Sequence, residues 1–207
     1  MLVAILKIVV SYLLGSVNGS LVLGRFIGAD IRTEGSGNAG GTNALRTHGK
    51  WFALGVMIID IFKAVIAVAW VAPMGQPGAA LPWIEVACGA AAVIGHCYPV
   101  FFGFRGGKGM ATLLGAYAVL APVALLVVLL TWVAVLAICG YVGLATIIGA
   151  AAAPVYFAIS GSGPGNPLLV FSGVMALLVV YTHRSNISRL RQGTEHRMVR
   201  ALLSRRH

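Results

Sequence analysis

Long apolar runs, separated by short polar stretches, limit this chain to folds that a lipid bilayer can hold. The runs cover approximately residues 2–23, 51–72, 83–102, 111–159 and 168–181. About 20 apolar residues cross a bilayer as one helix, and a helix satisfies its own backbone hydrogen bonds there. Because 59% of the residues are hydrophobic and only 10% are charged, too few charges remain to cover a water-soluble domain. We therefore predict an all-α integral membrane protein.

The basic residues predict how the helices cross the membrane. Four of them follow the first run, namely Arg25, Arg32, Arg46 and Lys50, and seven arginines follow the last run. The positive-inside rule places both groups in the cytoplasm, so the N-terminus lies outside and the C-terminus inside. We predict a polytopic bundle of about seven membrane helices, some of them short. The bundle forms a single domain over residues 1–207.

The last third of the chain allows two topologies. In the first, residues 111–138 form a short hairpin broken near Pro122, and residues 143–160 and 167–183 each span. In the second, there are five full spans and residues 168–181 lie on the inner surface. Both topologies place every polar motif on one side of the membrane. The net charge of +10 lies beside apolar runs and not on a soluble basic domain, which favours anionic lipid or substrate over nucleic acid.

The stretch TEGSGNAGGTNALR, residues 33–46, has the composition of an anion-binding loop. Glycines lack the Cβ that keeps an anion away from backbone N–H groups, and successive N–H groups form anion-binding nests. Arg46 adds a permanent charge with bidentate geometry for phosphate. The candidate ligand residues here are Ser36, Asn38, Gly40, Thr42, Asn43 and Arg46. A flexible linker is the alternative for this stretch taken alone.

A second glycine-rich basic stretch, GFRGGKGMAT at residues 103–112, precedes a predicted helix that begins at Met110. An anion bound there meets backbone N–H groups, the positive end of the helix dipole and an ammonium group. The candidate ligand residues are Gly106, Gly107, Lys108 and Gly109. The stretch is not a Walker A loop, because glycine, not serine or threonine, follows the lysine, so no nucleotide is implied. A plain positive-inside loop is the alternative.

Three ionisable residues within the apolar runs are predicted to support this polar site. Asp60 and Lys63 share one face of a helix and are expected to pair towards the bundle interior. This pair is either a structural ion pair or a support for the site. His96 precedes the second loop, where it is either a helix-end histidine or a buttress of the loop. Cys88, Cys97 and Cys139 have no metal-ligand spacing and are predicted to be small core residues without a disulfide.

The third polar stretch is HRSNISRLRQGTE, residues 183–195. His183 and Asn186 are one helical turn apart, so two neutral hydrogen-bonding groups share a face beside arginines. Hydroxyl recognition needs such neutral groups, whereas phosphate recognition needs the arginines. Glu195 is a further candidate. For the arginines of residues 197–206 we favour an anchor on the inner leaflet.

Taken together, SGNAGGTNALR, GHCYPVFFGFRGGKGMAT and HRSNISRLRQGTE resemble, in order and spacing, the three motifs of the bacterial membrane acyl-phosphate glycerol-3-phosphate acyltransferases (PlsY type). DIFK at residues 60–63 and GS at 15–16 are also similar to that family. The resemblance implies transfer of a long-chain acyl group from acyl phosphate to the 1-hydroxyl of sn-glycerol 3-phosphate, at the inner face of the bacterial membrane. The products are lysophosphatidic acid and phosphate. It also implies no metal, no cofactor and no acyl-CoA or acyl carrier protein as direct donor.

The site residues follow from the motifs and the resemblance as a hypothesis. The catalytic residues are Ser36, Arg46, Lys108, His183 and Asn186. The acyl-phosphate ligands are Ser36, Asn38, Gly40, Thr42, Asn43 and Gly106 to Gly109. The glycerol 3-phosphate ligands are Arg46, Lys108, His183, Asn186 and Glu195. Where the family commonly carries a phosphate-binding serine, this chain has Gly143, so Thr146 or the Gly143 backbone N–H is the expected substitute.

Two other functions remain open on the residues alone. A transporter of organic phosphate would use Asp60 and Lys63 as midmembrane ligands, although the polar motifs cluster on one face. A non-catalytic lipid-binding subunit would give no product. An acyltransferase that pairs a histidine with an aspartate five positions later is excluded, because neither His48, His96 nor His183 has one there. We expect a monomer in contact with membrane lipids.

Overall fold

The computed structural model describes residues 1–75 and 81–198, and this part of the chain folds into helices without a β-strand. It divides into two compact units, Met1–Leu120 and Ala121–His207. The all-α prediction is confirmed for the described residues. That the chain forms one domain stays a prediction.

The described residues of the first unit form five α-helices. They are α1 (Leu2–Gly15), α2 (Gly19–Phe26), α3 (Gly41–Ile66), α4 (Leu81–Cys97) and α5 (Met110–Leu120). The first apolar run was predicted as one membrane-spanning helix, whereas the structure divides it into α1 and α2, which are bent by 47°. That this run spans the membrane stays a prediction. The break lies at Ser16–Asn18, where the Asn18 side chain accepts a hydrogen bond from the Leu21 N–H and so begins a new helix.

Helix α3 begins ten residues before the predicted start of the second apolar run at residue 51. It continues as one π-helical segment, Ala67–Val71, at its other end. Gly49 interrupts it with a φ of +82°, a value that favours glycine. As a result, Thr42, Asn43 and Arg46 lie on the first turns of a helix and not in a loop.

Glycines allow the helices of the first unit to pack with their backbones in direct contact. A Cβ on Gly15 would overlap the backbone of Ala92, and one on Gly95 would overlap the Tyr12 carbonyl, so α1 and α4 touch main chain to main chain. Gly115 of α5 packs in the same way against the Ile61 carbonyl of α3. Such small-residue contacts are typical of helices that associate within a bilayer.

Up to Met198, where the described part of the second unit ends, the chain forms four α-helices: α6 (Pro122–Cys139), α7 (Val142–Ile159), α8 (Pro167–Thr182) and α9 (Arg184–Arg191). The predicted break near Pro122 is confirmed, because this proline is the first residue of α6. Gly140 ends α6 in the left-handed conformation, with a φ of +76°. Helix α7 packs against both α6 and α8. The chain bends by 55° between α8 and α9.

The apolar helices identify an integral membrane protein. Among the described residues, 4 helical stretches are long and apolar enough to cross a bilayer by themselves, and the number rises to 6 if each bent pair forms one span. These stretches are Gly41–Val71, Leu81–Phe102, Pro122–Cys139 and Val142–Ile159, with the pairs α1–α2 and α8–α9. Helix α5 is apolar but shorter. The total of about seven membrane helices and the side on which each terminus lies stay predictions.

Candidate active site

Buried amide groups shape the first glycine-rich loop. Asn43, 1% exposed, donates through Nδ2 to the carbonyls of Ile31 (3.1 Å) and Glu34 (2.9 Å), and its Oδ1 accepts from the Ser36 N–H at 2.9 Å. These bonds use both Nδ2 protons and the carbonyl oxygen. Direct binding of acyl phosphate by Asn43 stays a prediction, and in this structure its amide makes three hydrogen bonds within the protein. Asn43 positions the loop, while the Ser36 side chain is exposed.

The first loop leads directly into the N-terminus of α3. Gly40 is the N-cap residue in extended conformation, and Ala44 donates the first helical hydrogen bond to its carbonyl. The N–H groups of Gly41 and Thr42 therefore stand at the positive end of the α3 dipole, where anions are stabilised. Arg46 is exposed a little more than one turn further along the helix. This geometry agrees with an anion-binding role for the loop.

The second glycine-rich loop is attached to the C-terminal end of α4. The Gly106 N–H donates to the Cys97 carbonyl and the Gly107 N–H donates to the His96 carbonyl, both at 3.1 Å. Gly109 has a φ of +91°, and α5 begins at the next residue as the sequence predicts. The glycines are required by space as well as by conformation, because a Cβ on Gly107 would collide with the His96 ring.

The two glycine-rich loops meet inside the first unit. Gly107 lies between the His96 ring and the Ala39 carbonyl, which is 2.6 Å from the position of a Cβ on Gly107. Asn18 holds that carbonyl by donating to it from Nδ2 at 3.2 Å. The expected proximity of the two loops is therefore confirmed.

Arg32 joins the same two loops from the outside. Its Nη1 donates to the carbonyls of Phe102 (2.9 Å) and Arg105 (3.2 Å) in the second loop. Its other nitrogens bind Asp30, with Nη2 at 2.7 Å from Oδ2. The hydrogen bond from Arg32 holds the pKa of the Asp30 carboxyl below its usual value, and Asp30 raises the pKa of Arg32. From the sequence, Arg32 is used only to predict which side of the membrane its segment faces. The D-x-R spacing of Asp30 and Arg32 is the sequence feature that indicates their ion pair.

Asp60, Lys63 and His96 form one buried cluster behind these loops. The predicted Asp60–Lys63 pair is confirmed, with Lys63 Nζ at 2.9 Å from Asp60 Oδ1. His96 Nδ1 lies 2.9 Å from the same Nζ, and the Gly19 N–H donates to Asp60 Oδ1 at 3.0 Å. All three side chains are at most 5% exposed. His96 thus contacts the second loop at Gly107 and supports its backbone. This contact agrees with the buttress alternative of the sequence analysis.

In the second unit, His183 lies at the bend between α8 and α9. Its side chain is 6% exposed, and Nδ1 is 2.8 Å from the Val179 carbonyl. A carbonyl only accepts hydrogen bonds, so Nδ1 carries the proton and Nε2 presents a lone pair. In the neutral ring, Nε2 therefore has the chemistry of a hydrogen-bond acceptor or a base.

Glu195 organises the other predicted residues of the third motif. Asn186, 8% exposed, donates from Nδ2 to Glu195 Oε1, and Arg189 Nε donates to Oε2, both at 2.6 Å. The Glu195 carboxylate is therefore occupied by two protein donors, and its side chain is 6% exposed. A carboxylate also repels phosphate. Binding of glycerol 3-phosphate by Glu195 stays a prediction, and in this structure its carboxylate positions Asn186 and Arg189.

Gly143 lies directly against Asn186. A Cβ on Gly143 would lie 2.7 to 2.9 Å from three atoms of the Asn186 side chain. Thr146 is 5% exposed, donates to the Val142 carbonyl at 2.8 Å and accepts from Trp132 Nε1 at 3.2 Å. Its hydroxyl is thus engaged within the protein. Of the two expected substitutes for the family serine, the Gly143 backbone fits this geometry better.

Arg197 returns to the end of α6 within the same unit. Its Nε donates to the Cys139 carbonyl at 3.0 Å and its guanidinium lies 5.5 Å from the Tyr141 ring centroid. The Met198 N–H donates to the Gly140 carbonyl at 2.8 Å. The side chain of Arg197 thus contacts protein, and its role as a lipid anchor stays a prediction. The other arginines of that prediction, Arg200, Arg205 and Arg206, lie outside the described residues.

The fold and these motifs define an integral membrane protein with anion-binding groups at helix ends, and comparison with known proteins defines it further. The family model "Glycerol-3-phosphate acyltransferase" matches residues 5–193. A glycerol-3-phosphate acyltransferase of Desulforudis audaxviator is 44% identical over 197 residues, which cover 95% of this chain and 96% of the relative. Another, from Geobacter metallireducens, is 45% identical over 197 residues, with coverage of 95% and 98%.

Solved structures agree with this result. The crystal structure of PlsY, an integral membrane glycerol 3-phosphate acyltransferase, in its glycerol 3-phosphate form has a TM-score of 0.82 and 37% identity, covering 94% of each chain. The lysophosphatidic acid form has a TM-score of 0.79 and 36% identity over the same share of each chain. This chain therefore belongs to the glycerol-3-phosphate acyltransferase family, which confirms the resemblance found in its motifs.

Proposed function

We propose that this protein transfers a long-chain acyl group from acyl phosphate to the 1-hydroxyl of sn-glycerol 3-phosphate. The observation that carries the proposal is the pair of glycine-rich loops that meet at Gly107, each leading into a helix N-terminus. Backbone N–H groups and two helix dipoles suit a phosphate group better than a thioester. Membership of the glycerol-3-phosphate acyltransferase family supports the acceptor.

The acyl-phosphate head group is assigned to these loops. The N–H groups of Gly41 and Thr42 at the start of α3 and of Gly109 before α5 donate to the phosphate oxygens, and the exposed Ser36 hydroxyl and the Asn38 amide add side-chain donors. The N–H groups of Gly40, Gly106 and Gly107 are used within the protein, so these three glycines shape the loops in this assignment. Lys108 supplies positive charge next to the α5 N-terminus. Asn43 contributes indirectly, because it fixes the loop that carries Ser36.

Glycerol 3-phosphate is assigned to Arg46, Lys108, His183 and Asn186. The two basic residues bind its negatively charged phosphate, and the two neutral residues form hydrogen bonds with its hydroxyl groups. Support for the second pair is the orientation of each side chain, since His183 is fixed by Val179 and Asn186 by Glu195. Such fixed groups lose little freedom when a substrate binds.

Acyl phosphate is already activated, so the protein mainly positions two anions and stabilises the charge that develops on the departing one. The glycerol 1-hydroxyl oxygen attacks the acyl carbonyl carbon, a new ester C–O bond forms, and the C–O bond to phosphate breaks. The hydroxyl proton passes to a substrate phosphate. His183, through its Nε2 lone pair, is the protein base that would take the proton if the substrate did not.

The active side is proposed to face the cytoplasm of a bacterial inner membrane. Arg25, Arg32, Arg46 and Lys50 in the first unit and the arginines after α8 in the second support this orientation. We propose that the protein acts as a monomer, with the acyl chain of the donor in contact with membrane lipid.

The test is turnover by purified protein in detergent with acyl phosphate, acyl-CoA and acyl carrier protein donors side by side. Lysophosphatidic acid formed from acyl phosphate alone is the expected result. Because a micelle holds no gradient, the same result separates an enzyme from a transporter, and a blank with every donor would support a non-catalytic lipid-binding subunit. Product from acyl-CoA at an equal rate would overturn the donor assignment.

Two further measurements address mechanism. Arg46→Ala and Lys108→Ala should each lower turnover by about 100-fold or more, because they remove charge that positions phosphate. Release of phosphate from acyl phosphate in a burst, with no acceptor present, would contradict direct attack and indicate an acyl-enzyme.

A further inference from the structure

The buried cluster of Asp60, Lys63 and His96 is connected to the glycine-rich loops through one atom of the His96 ring. Lys63 Nζ has three acceptors, the Val17 carbonyl at 3.1 Å, Asp60 Oδ1 at 2.9 Å and His96 Nδ1 at 2.9 Å. A charged ammonium group has three protons and no lone pair, so it donates to all three. His96 Nδ1 also lies 3.3 Å from Asp60 Oδ1, but its shorter contact is with the Lys63 ammonium at 2.9 Å. Because that ammonium can only donate, we infer that Nδ1 accepts and that the ring proton lies on Nε2.

The Nε2 side of His96 faces Gly107. A Cβ on Gly107 would collide with Nε2, and the His96 carbonyl also accepts from the Gly107 N–H at 3.1 Å. On the other side of Gly107 stands the Ala39 carbonyl of the first loop. His96 thus fixes the position of Gly107 against the first loop, and Lys63 fixes the rotation and tautomer of His96.

We propose that Asp60, Lys63 and His96 are positioning residues that set the separation of the two glycine-rich loops and hence the affinity for the acyl donor. This proposal rests on the assignment of acyl phosphate to those loops. The physical reason is that backbone donors bind phosphate well only at the correct spacing, and a misplacement of about 1 Å can cost about 100-fold in rate. The three side chains act through the loop backbone and do not touch the substrate.

Lys7 provides a matched control within the same unit. It is 5% exposed, like Lys63, and its Nζ donates to the Ala72 carbonyl at 2.6 Å. Ala72 follows the π-helical segment at the end of α3 and lies outside both glycine-rich loops. A buried lysine that only stabilises the fold should lower thermal stability when replaced, without changing donor affinity.

The first experiment compares the double variant Asp60→Asn/Lys63→Met with Lys7→Met. The double variant removes both charges together and leaves no unpaired buried charge. We expect the amides of residues 105–109 to exchange with deuterium about tenfold faster and the KM for acyl phosphate to rise about tenfold, with a smaller change in kcat. Lys7→Met should lower Tm and leave both readouts at the wild-type value.

The second experiment replaces the ring itself. Glutamine places an amide N–H close to the position of His96 Nε2, whereas asparagine reaches only the Nδ1 position. We expect the donor KM of His96→Gln to lie closer to the wild-type value than that of His96→Asn. Equal KM values for these two variants, or wild-type exchange and KM in the double variant, would overturn the proposal.

Failure of the donor assignment would look different. Wild-type protein would then give no product from acyl phosphate, while the deuterium exchange of residues 105–109 would still report whether the cluster holds the loop. Unchanged exchange in the double variant refutes the positioning role whatever the donor proves to be.

Discussion

In the proposed function, the glycine-rich loops of the first unit and the third motif of the second unit bind anionic and hydroxyl groups by different physical means. In the loops, the binding groups are backbone N–H donors, and buried side chains such as Asn43 and His96 hold them from behind. In the third motif, the binding groups are side chains on the short helix α9 and at its start, and Glu195 holds two residues of this helix. The loops are therefore sensitive to added atoms, and the third motif is sensitive to lost hydrogen bonds.

The largest effect is expected for Gly107→Ala. The new methyl group would collide with the His96 ring and lie 2.6 Å from the Ala39 carbonyl, so one of the two loops must move. We expect activity to fall about 100-fold or more, measured as kcat/KM in detergent. Gly163→Ala is the control, because nothing lies within 4 Å of a Cβ there, and it should keep wild-type activity. Near-normal activity of Gly107→Ala would show that the two loops can accommodate an added methyl group without losing function.

Glu195→Ala tests the third motif by removing hydrogen bonds without adding atoms. It would leave Asn186 Nδ2 and Arg189 Nε without their carboxylate partner, which costs about 1–3 kcal/mol of stability for a buried group. We expect kcat/KM for glycerol 3-phosphate to fall about tenfold, because Asn186 loses its fixed orientation. Glu195→Gln keeps an acceptor for Asn186 and should lose less. Equal losses in the two variants would indicate that the charge pair with Arg189 matters more.

In the second unit, Gly143 leaves no room for a larger side chain, as Gly107 does in the first unit. Both Gly143→Ala and Gly143→Ser would place a Cβ 2.7 to 2.9 Å from Asn186 side-chain atoms. We expect kcat to fall about threefold to tenfold in each, because Asn186 must shift, and the serine hydroxyl should bring no gain. If serine raised activity above wild type while alanine lowered it, a hydroxyl group at this position would be a substrate ligand after all.

The smallest effect is expected at the outer contact between the loops. Asp30→Asn removes the carboxylate that pairs with Arg32, but the two side chains are 43% and 27% exposed, so the loss should be below about 1 kcal/mol at pH 7. The pKa of Asp30 is lowered on folding, so its contribution is present above the ordinary carboxyl value of about 3.9. It is lost as the pH falls through the folded-state pKa. The Tm difference between Asp30→Asn and wild type should therefore disappear in strong acid, and a difference that persists there would have another origin.

Apolar run lengths predicted α4 and α8, and the expected break near Pro122 and span at residues 143–160 predicted α6 and α7. Run lengths alone did not divide residues 111–159. They failed where a polar residue inside a run begins a new helix. Asn18 is such a residue, because its side chain caps α2 and its amide binds Ala39 in the first loop. Hydropathy counts Asn18 as one polar residue among many apolar ones and therefore misses the break.

Motif composition predicted which stretches form the candidate site, but not which side chains face a ligand. Asn43 and Glu195 lie within the motifs and were predicted as ligands, yet each is used by neighbouring protein groups. The same residue types serve as ligands or as supports, and only the positions of the Ile31 and Glu34 carbonyls or of Asn186 decide between these roles. Those positions depend on tertiary structure, which spacing along the chain does not specify.

The contact between Gly15 and Gly95 has a consequence for handling the protein outside its native membrane. With the main chains of α1 and α4 touching, the seam is too narrow to admit an acyl tail or a detergent molecule. A surfactant can therefore replace the surrounding lipid without wedging these two helices apart.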